Sequence, residues 1–180
     1  MFEWSTIPAW VRIACRYGLI GSIIGTVLVI ILYYIGRHPF MIPVFFDFRI
    51  ILFSIFIFFS LKEFREYHHQ GILHFWQGMM MSMIFTLLFA TMTSFLIGMF
   101  ATWKPEFVSE FVKLFQERSR AFPPPQLIEQ VGKETYEHNL EALSATRPLD
   151  MAKLYFKQSI VISLFLSVII SVILRRQPKM

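Results

Sequence analysis

Residues 158–174 read QSIVISLFLSVIISVIL, an apolar run in which serine recurs at every fourth position. A helix needs about 20 mostly apolar residues to cross the hydrocarbon core of a bilayer. Backbone groups in lipid must form their hydrogen bonds internally, so a run of this composition predicts a helix. We therefore predict a membrane span over about residues 155–174, followed directly by Arg175 and Arg176.

Three more apolar runs predict spans over about residues 17–36, 42–61 and 79–101. The middle run needs Asp47 and Arg49 to reach sufficient length, because its uniformly apolar part is too short to cross alone. The chain is 56% hydrophobic and has 21 phenylalanines, whereas soluble domains are roughly 45–50% apolar. We expect a single all-α membrane domain over residues 1–180, an integral membrane four-helix bundle.

The basic residues give the chain a formal net charge of +5. They flank the apolar runs and form no stripe interleaved with aromatics, which indicates membrane ends and not nucleic-acid binding. Four spans would put both termini on one side. That side would hold Arg12, Arg16, Lys62, Arg65, Arg175, Arg176 and Lys179. The positive-inside rule then predicts that both termini are cytoplasmic.

The segment from about residue 102 to 154 carries charges of both signs and is long enough to cross a membrane regardless of its charge. We place it outside the cytoplasm, as two amphipathic helices between the third and fourth spans. The first would begin near Pro105, place phenylalanine at every fourth position, and end before the prolines at 123–125. The second would cover about residues 126–145. Together they would form a cap over the bundle or lie in the membrane interface.

Small side chains repeat at four-residue spacing in the first, third and fourth spans. Lipid provides no hydrophobic drive for helices to associate. Helices in a membrane associate instead through close packing, which small residues allow. We interpret these faces as contacts within a four-helix bundle or a dimer, with a polar path for an ion or small solute as the alternative. The predicted packing residues are Gly18, Gly21, Ser22, Gly25, Ser82, Thr86, Ala90, Ser94, Gly98, Ser159, Ser163, Ser167 and Ser171.

Asp47 and Arg49 are candidate polar residues inside the membrane, near one end of the second predicted span. Two residues apart on one helix, they would not face each other. We therefore expect each to reach toward the headgroups or to pair with another span. The alternative is that Asp47 relays protons in a carrier.

His68, His69 and His74 lie between the second and third predicted spans and are candidate metal ligands. A metal site needs several converging ligands, but the adjacent His68 and His69 point in different directions. The sequence spacing of five residues from His69 to His74 matches no common zinc motif. We expect a cytoplasmic hairpin that turns at Gly71, with no metal, haem or other cofactor.

Five segments spread over nearly the whole chain form a recognisable pattern: GLIGSIIG (18–25), LKEFREY (61–67), FWQGMMMSM (75–83), WKPEFVSEFVKLFQER (103–118) and ILRRQPK (173–179). This pattern resembles small four-span bacterial inner-membrane proteins known only as a domain of unknown function. The resemblance implies the four-span fold and a location in the bacterial inner (cytoplasmic) membrane. It brings no catalytic residues.

Motifs of nucleophilic, phosphate-binding or dinucleotide-binding sites are absent from the sequence, so we do not expect an enzyme. The leading hypothesis is a structural or accessory membrane component in contact with the lipid bilayer. It would assemble as a homo-oligomer, or with another membrane protein, through its small-residue helix faces. The alternative is a small-solute or ion carrier that uses the serine-lined spans and Asp47.

Overall fold

The computed structural model of the chain describes residues 7–43 and 46–177, except for the side chain of Leu127. These residues are mainly helical and form no β-strand. Short 3-10 turns at Pro39–Met41 and Leu143–Ala145 and a π-turn at Phe64–His68 connect the helices. The α-helices are α1 (Ala9–Tyr34), α2 (Phe48–Glu63), α3 (Phe75–Trp103), α4 (Pro105–Ala121), α5 (Pro125–Val131), α6 (Lys133–Ala142) and α7 (Pro148–Leu174).

Three of the described helices, α1, α3 and α7, are long and apolar enough to cross a membrane. The remaining apolar helix, α2, has 16 residues, or about 24 Å at 1.5 Å per residue. It begins at Phe48, whereas a helix was expected from about residue 42, because Asp47 caps it and the preceding chain forms an irregular connector. Residues 44 and 45 of the expected span lie outside the described residues.

The four apolar helices pack side by side in a ring, in which α1 and α7 each contact both α2 and α3. Helices α1 and α3 run parallel, since Gly18 lies against Leu88 near the middle of both helices and Tyr33 lies against Phe100 near their C-terminal ends. Helix α7 runs antiparallel to α3. The centre of the ring is filled by the buried rings of Phe53, Phe85 and Phe89.

One end of the ring, the cap end, carries helices α4 to α6. Helix α4 begins at Pro105 as expected and buries Phe107 and Phe111. Two helices were expected between the third and fourth apolar helices, but the second is broken into α5 and α6 at Gly132, where φ is +81°. Helix α6 packs on α4, where the hydroxyl of Tyr136 donates to the carbonyl of Ser119 at 3.1 Å.

The opposite end, the turn end, carries the connection from α2 to α3. Helix α2 continues into the π-turn Phe64–His68, and the chain reverses at Gly71, where φ is +79°. This is the glycine at which the sequence predicts the turn, because a positive φ favours glycine. An antiparallel bridge then joins Leu73 to Arg176 through two backbone hydrogen bonds of 3.0 Å. The bridge fastens the chain after α7 to this connection.

Replacing Gly25 by leucine is expected to destabilise the fold, because a Cβ at this position would lie 2.7 Å from Cζ of Phe89. Overpacking of a filled core costs about 1–3 kcal/mol. Thermal unfolding in detergent, followed by tryptophan fluorescence, measures the loss. The control is Val27→Leu, on the same helix, at a residue that is 47% exposed. An unfolding temperature for Gly25→Leu as high as that of the control would contradict the close approach of α1 to α3.

Candidate functional site

The small residues of α3 and α7 meet in one antiparallel register. The hydroxyl of Thr86 is hydrogen-bonded to that of Ser163. Two turns away, a Cβ added at Gly78 would lie 2.7 Å from Oγ of Ser171. From the first contact to the second, the position moves back by eight residues on α3 and forward by eight residues on α7. The four-residue repeats of the two helices therefore stay aligned along the interface. The helices approach closely because small side chains face small side chains.

Most of the predicted packing residues are buried between helices of this same chain. Several hydroxyls bond to the preceding turn of their own helix, as in Ser82 to the carbonyl of Gly78 at 2.8 Å. Gly98 is half-buried. A partner would therefore have to contact other surfaces. The buried members are Gly18, Gly21, Ser22, Gly25, Ser82, Thr86, Ala90, Ser94, Ser159, Ser163, Ser167 and Ser171.

Asp47 and Arg49 form an ion pair at the start of α2 and are only 6% and 5% exposed. Nε of Arg49 donates to both carboxylate oxygens of Asp47 at 2.9 Å. The prediction that these side chains would not face each other is wrong. Asp47 is not on the helix but caps it, with an extended backbone, and accepts a hydrogen bond from the Arg49 amide at 2.9 Å. This position turns its carboxylate toward the guanidinium.

Arg49 also reaches across to α7. Its Nη2 donates to Oε1 of Gln158 at 2.9 Å and its Nη1 to Oγ of Ser159 at 3.3 Å. The guanidinium carbon lies 4.6 Å from the centre of the Tyr155 ring, a cation–π contact that further stabilises the buried charge. The cluster thus ties the start of α2 to α7. Asp47 is engaged by Arg49 and offers no free carboxylate to a transported ion.

His38, in the connector between α1 and α2, is buried beneath α4. Its Nε2 lies 2.9 Å from the carbonyl oxygen of Phe107 and donates to it, while its Nδ1 accepts from the amide of Phe40 at 3.4 Å. This arrangement suits the neutral ring, because a proton on Nδ1 would face the Phe40 N–H. Burial lowers the pKa of His38 below its ordinary value near 6.5, and the bond to Phe107 offsets that shift only in part.

The histidines of the turn end take separate positions. The Nδ1 of His69 lies 2.9 Å from the carbonyl of Ile72, and its ring stacks on Phe64 at 5.2 Å between centroids. His74 caps α3 and its ring lies 6.2 Å from that of His69. His68 is exposed on the π-turn. Among the described residues, no group of three histidine, cysteine or acidic side chains is arranged to hold a metal ion.

An open cleft of about 450 Å³ lies at the cap end, and we call it the cap cleft. It is bounded by the end of α3, one face of α4 and the chain leading into α7. Its lining mixes hydroxyl, amide and ammonium groups with apolar side chains, which suits a polar ligand or a protein segment. Its lining includes Thr102, Ser109, Val112, Lys113, Gln116 and Ser144.

Sequence patterns do not single out His38, Tyr155 or Gln158, although all three hold the cap end together. One signal was present for Gln158. A buried arginine requires acceptors, and Gln158 lies in the first turns of a neighbouring apolar helix. No such signal exists for His38, because its burial depends on how α4 folds back over the connector.

The fold defines a helical protein with helices apolar enough to span a membrane. The family model described as protein of unknown function (DUF4199) matches residues 16–176. The chain belongs to this family, and the resemblance to a domain of unknown function is therefore confirmed. No curated protein matches the chain, and neither does any solved structure.

Replacing Arg49 by methionine is expected to destabilise the protein by about 3–5 kcal/mol, because it leaves the Asp47 carboxylate buried and unpaired. The double variant Asp47→Asn/Arg49→Met should lose much less, since asparagine still caps α2 and methionine fills the space. Unfolding by sodium dodecyl sulfate in mixed micelles gives the free energies for this cycle. If the double variant lost as much as Asp47→Asn and Arg49→Met together, the pairing would carry no coupling energy.

The stability of the cap end is expected to fall as the pH drops below about 6.5. The unfolded chain takes up a proton on His38 near that pH, whereas the folded chain, with its lowered pKa, does so only at lower pH. Thermal unfolding at pH 7.5 and at pH 5.5 gives the difference in unfolding temperature between the two conditions. That difference should be smaller in His38→Gln. The control His138→Gln changes an exposed histidine and should leave it unaltered. An unchanged pH dependence in His38→Gln would refute the assignment.

Proposed function

We propose that the chain is an integral protein of a bacterial inner membrane that crosses the bilayer four times, with both termini in the cytoplasm. The outer surfaces of all four apolar helices support this placement. Each presents large exposed apolar side chains to the surroundings, among them Ile23, Ile51, Phe95 and Phe165. Contiguous apolar surface of this kind is rare on soluble monomers. Lipid is the solvent that would cover it.

Exposed aromatic side chains at both ends of the ring support the same placement. Tyr34, Phe46 and Trp103 lie at the cap end, and Tyr67 and Trp76 lie at the turn end. Aromatic rings collect at the two interfaces of a bilayer, where an apolar body and a polar edge are both accommodated. The ends would therefore sit at opposite headgroup layers, with the basic turn end in the cytoplasm.

The shortness of α2 is compatible with a fourth crossing. About 24 Å of helix falls short of the roughly 30 Å hydrocarbon core. The chain directly before α2, at the buried Asp47, would continue the crossing, since irregular backbone at membrane depth is tolerated where protein surrounds it. The connector with Phe40 and His38 packs against α4 in the cap, outside the hydrocarbon core. The Asp47–Arg49 pair would lie just below the outer interface, shielded by the cap.

Cysteine labelling tests the crossing by α3 and the orientation of the chain. In a Cys15→Ser background, Glu129→Cys places a thiol in the cap and His68→Cys places one at the turn end. A membrane-impermeant maleimide added to intact spheroplasts should label the first variant at once and the second only after permeabilisation. Labelling of both in intact cells would contradict a crossing by α3, which separates the two positions, and the reverse pattern would contradict the orientation.

We further propose that the protein is a structural or accessory component of a membrane assembly. The state of its polar groups supports this role. The buried ion pair is engaged internally, and the small-residue faces are occupied by helices of the same chain. The cap end, in contrast, carries an open cleft. It also exposes the side chains of Phe115, Phe122 and Leu149, which lie between the predicted third and fourth spans. The partner would be a second copy or another membrane protein docked on the cap.

Photo-crosslinking from the cap cleft tests the accessory role. A photoreactive amino acid at Lys113 should capture one recurring protein, which also co-purifies stoichiometrically with the unmodified chain in mild detergent. The same amino acid at the exposed Glu134 of α6, outside the cleft lining, is the matched control. Filling the cleft by Ser109→Trp should abolish both signals. Recovery of the chain alone, or equal capture from both positions, would count against a partner at the cleft.

A further inference from the structure

A groove at the turn end lies between the start of α1 and the end of α2. It consists of two adjoining depressions of about 510 and 440 Å³ that share Arg16, Glu63 and His68. We call it the basic groove. The π-turn forms one wall and packs against α1. Its wider backbone turn follows directly after Glu63, so the residues around His68 remain part of the groove instead of continuing a regular helix.

The floor of the basic groove is built around Glu63. One guanidinium nitrogen of Arg16 lies 2.6 Å from Oε1 of Glu63, and the hydroxyl of Tyr17 donates to Oε2 at 2.9 Å. The acid joins α2 to α1 and is neutralised by Arg16. Glu66, the other acid of the lining, is paired with Arg65 at 3.1 Å. Both carboxylates of the groove are thus already matched by an arginine.

The remaining charge of the groove is positive. Arg12 lines one depression and Lys62 the other, with His68 between them. Within the described residues, neither Arg12 nor Lys62 forms an ion pair. Two fixed cations therefore face a cavity of several hundred Å³, and His68 adds a third nitrogen donor. A phosphate-bearing anion is the ligand that matches this arrangement.

The wall of the groove that faces the middle of α1 and α2 is apolar and open to the surroundings. Leu19 and Phe59 line it and are 44% and 48% exposed. One helical turn deeper, Ile23 on α1 and Ile55 on α2 continue the same two faces and are also exposed. A free anion would contact only the basic residues of the groove. An amphiphile with an anionic headgroup and acyl chains would contact the basic residues and the apolar wall.

We propose that the basic groove is a binding site for one anionic phospholipid of the cytoplasmic leaflet. Its phosphate lies between Arg12, Lys62 and His68, and its acyl chains run along Leu19 and Phe59. This site rests on the proposed membrane placement, which brings the turn end to the cytoplasmic headgroup layer. Basic pockets between membrane helices on that side select anionic lipids through the same combination of charge and apolar contact.

Native mass spectrometry of the detergent-purified full chain tests the site. Dioleoyl phosphatidylglycerol and dioleoyl phosphatidylcholine are titrated separately, and the bound lipid is counted. We expect one tightly bound phosphatidylglycerol. Its preference over phosphatidylcholine should fall by about fivefold for each cation removed in Arg12→Gln/Lys62→Gln. The matched control Arg37→Gln/Lys104→Gln removes the same charge at the cap end and should keep the preference.

Three results would overturn the proposal: equal binding of both lipids, an equal loss in the control variant, or displacement of phosphatidylglycerol by millimolar inorganic phosphate. The last would identify a simple anion site. The charge-conserving variant Arg12→Lys/Lys62→Arg should retain the preference, which separates charge from damage to the fold. Cysteine labelling decides the membrane placement independently, so a wrong orientation and a missing lipid site give different results.

Discussion

The close approach of α3 to its two neighbours is the constraint on which the rest of the structure depends. Glycine and serine on the facing surfaces allow α7 to contact α3 along one register and let α1 press against Phe89. In the proposed membrane placement, lipid would supply no hydrophobic force between helices, and the many short contacts of this packing would hold them together. Larger side chains at Gly25 or Gly78 would separate the backbones and open the centre of the ring.

This packing occupies the interior of the described chain, whereas each of the two ends carries an open depression. At the cap end, α4 closes over the connector through Phe107 and His38, and an open cleft remains beside it. At the turn end, the π-turn and α1 enclose a groove in which Arg12 and Lys62 form no ion pair with another described residue. The asymmetry between a helical cap and a basic turn suits a protein whose ends meet different environments.

The short helix α2 shows how a charged cluster is accommodated beside apolar helices. Asp47 would be costly to bury alone, and so would Arg49. Together, and with Gln158, Ser159 and the Tyr155 ring, nearly all of their hydrogen-bonding groups find partners. The cluster stabilises the contact between α2 and α7 at the level where α2 begins.

The sequence alone determined the apolar helices α1, α3 and α7, the small residues along them, the amphipathic α4 and the turn at Gly71. These features follow from local composition and periodicity. Only the tertiary structure decided the late start of α2, the pairing of Asp47 with Arg49, the burial of His38 and the basic groove. Each of these joins residues that are far apart in the chain or sit at a helix boundary, where the packing of other helices sets the conformation.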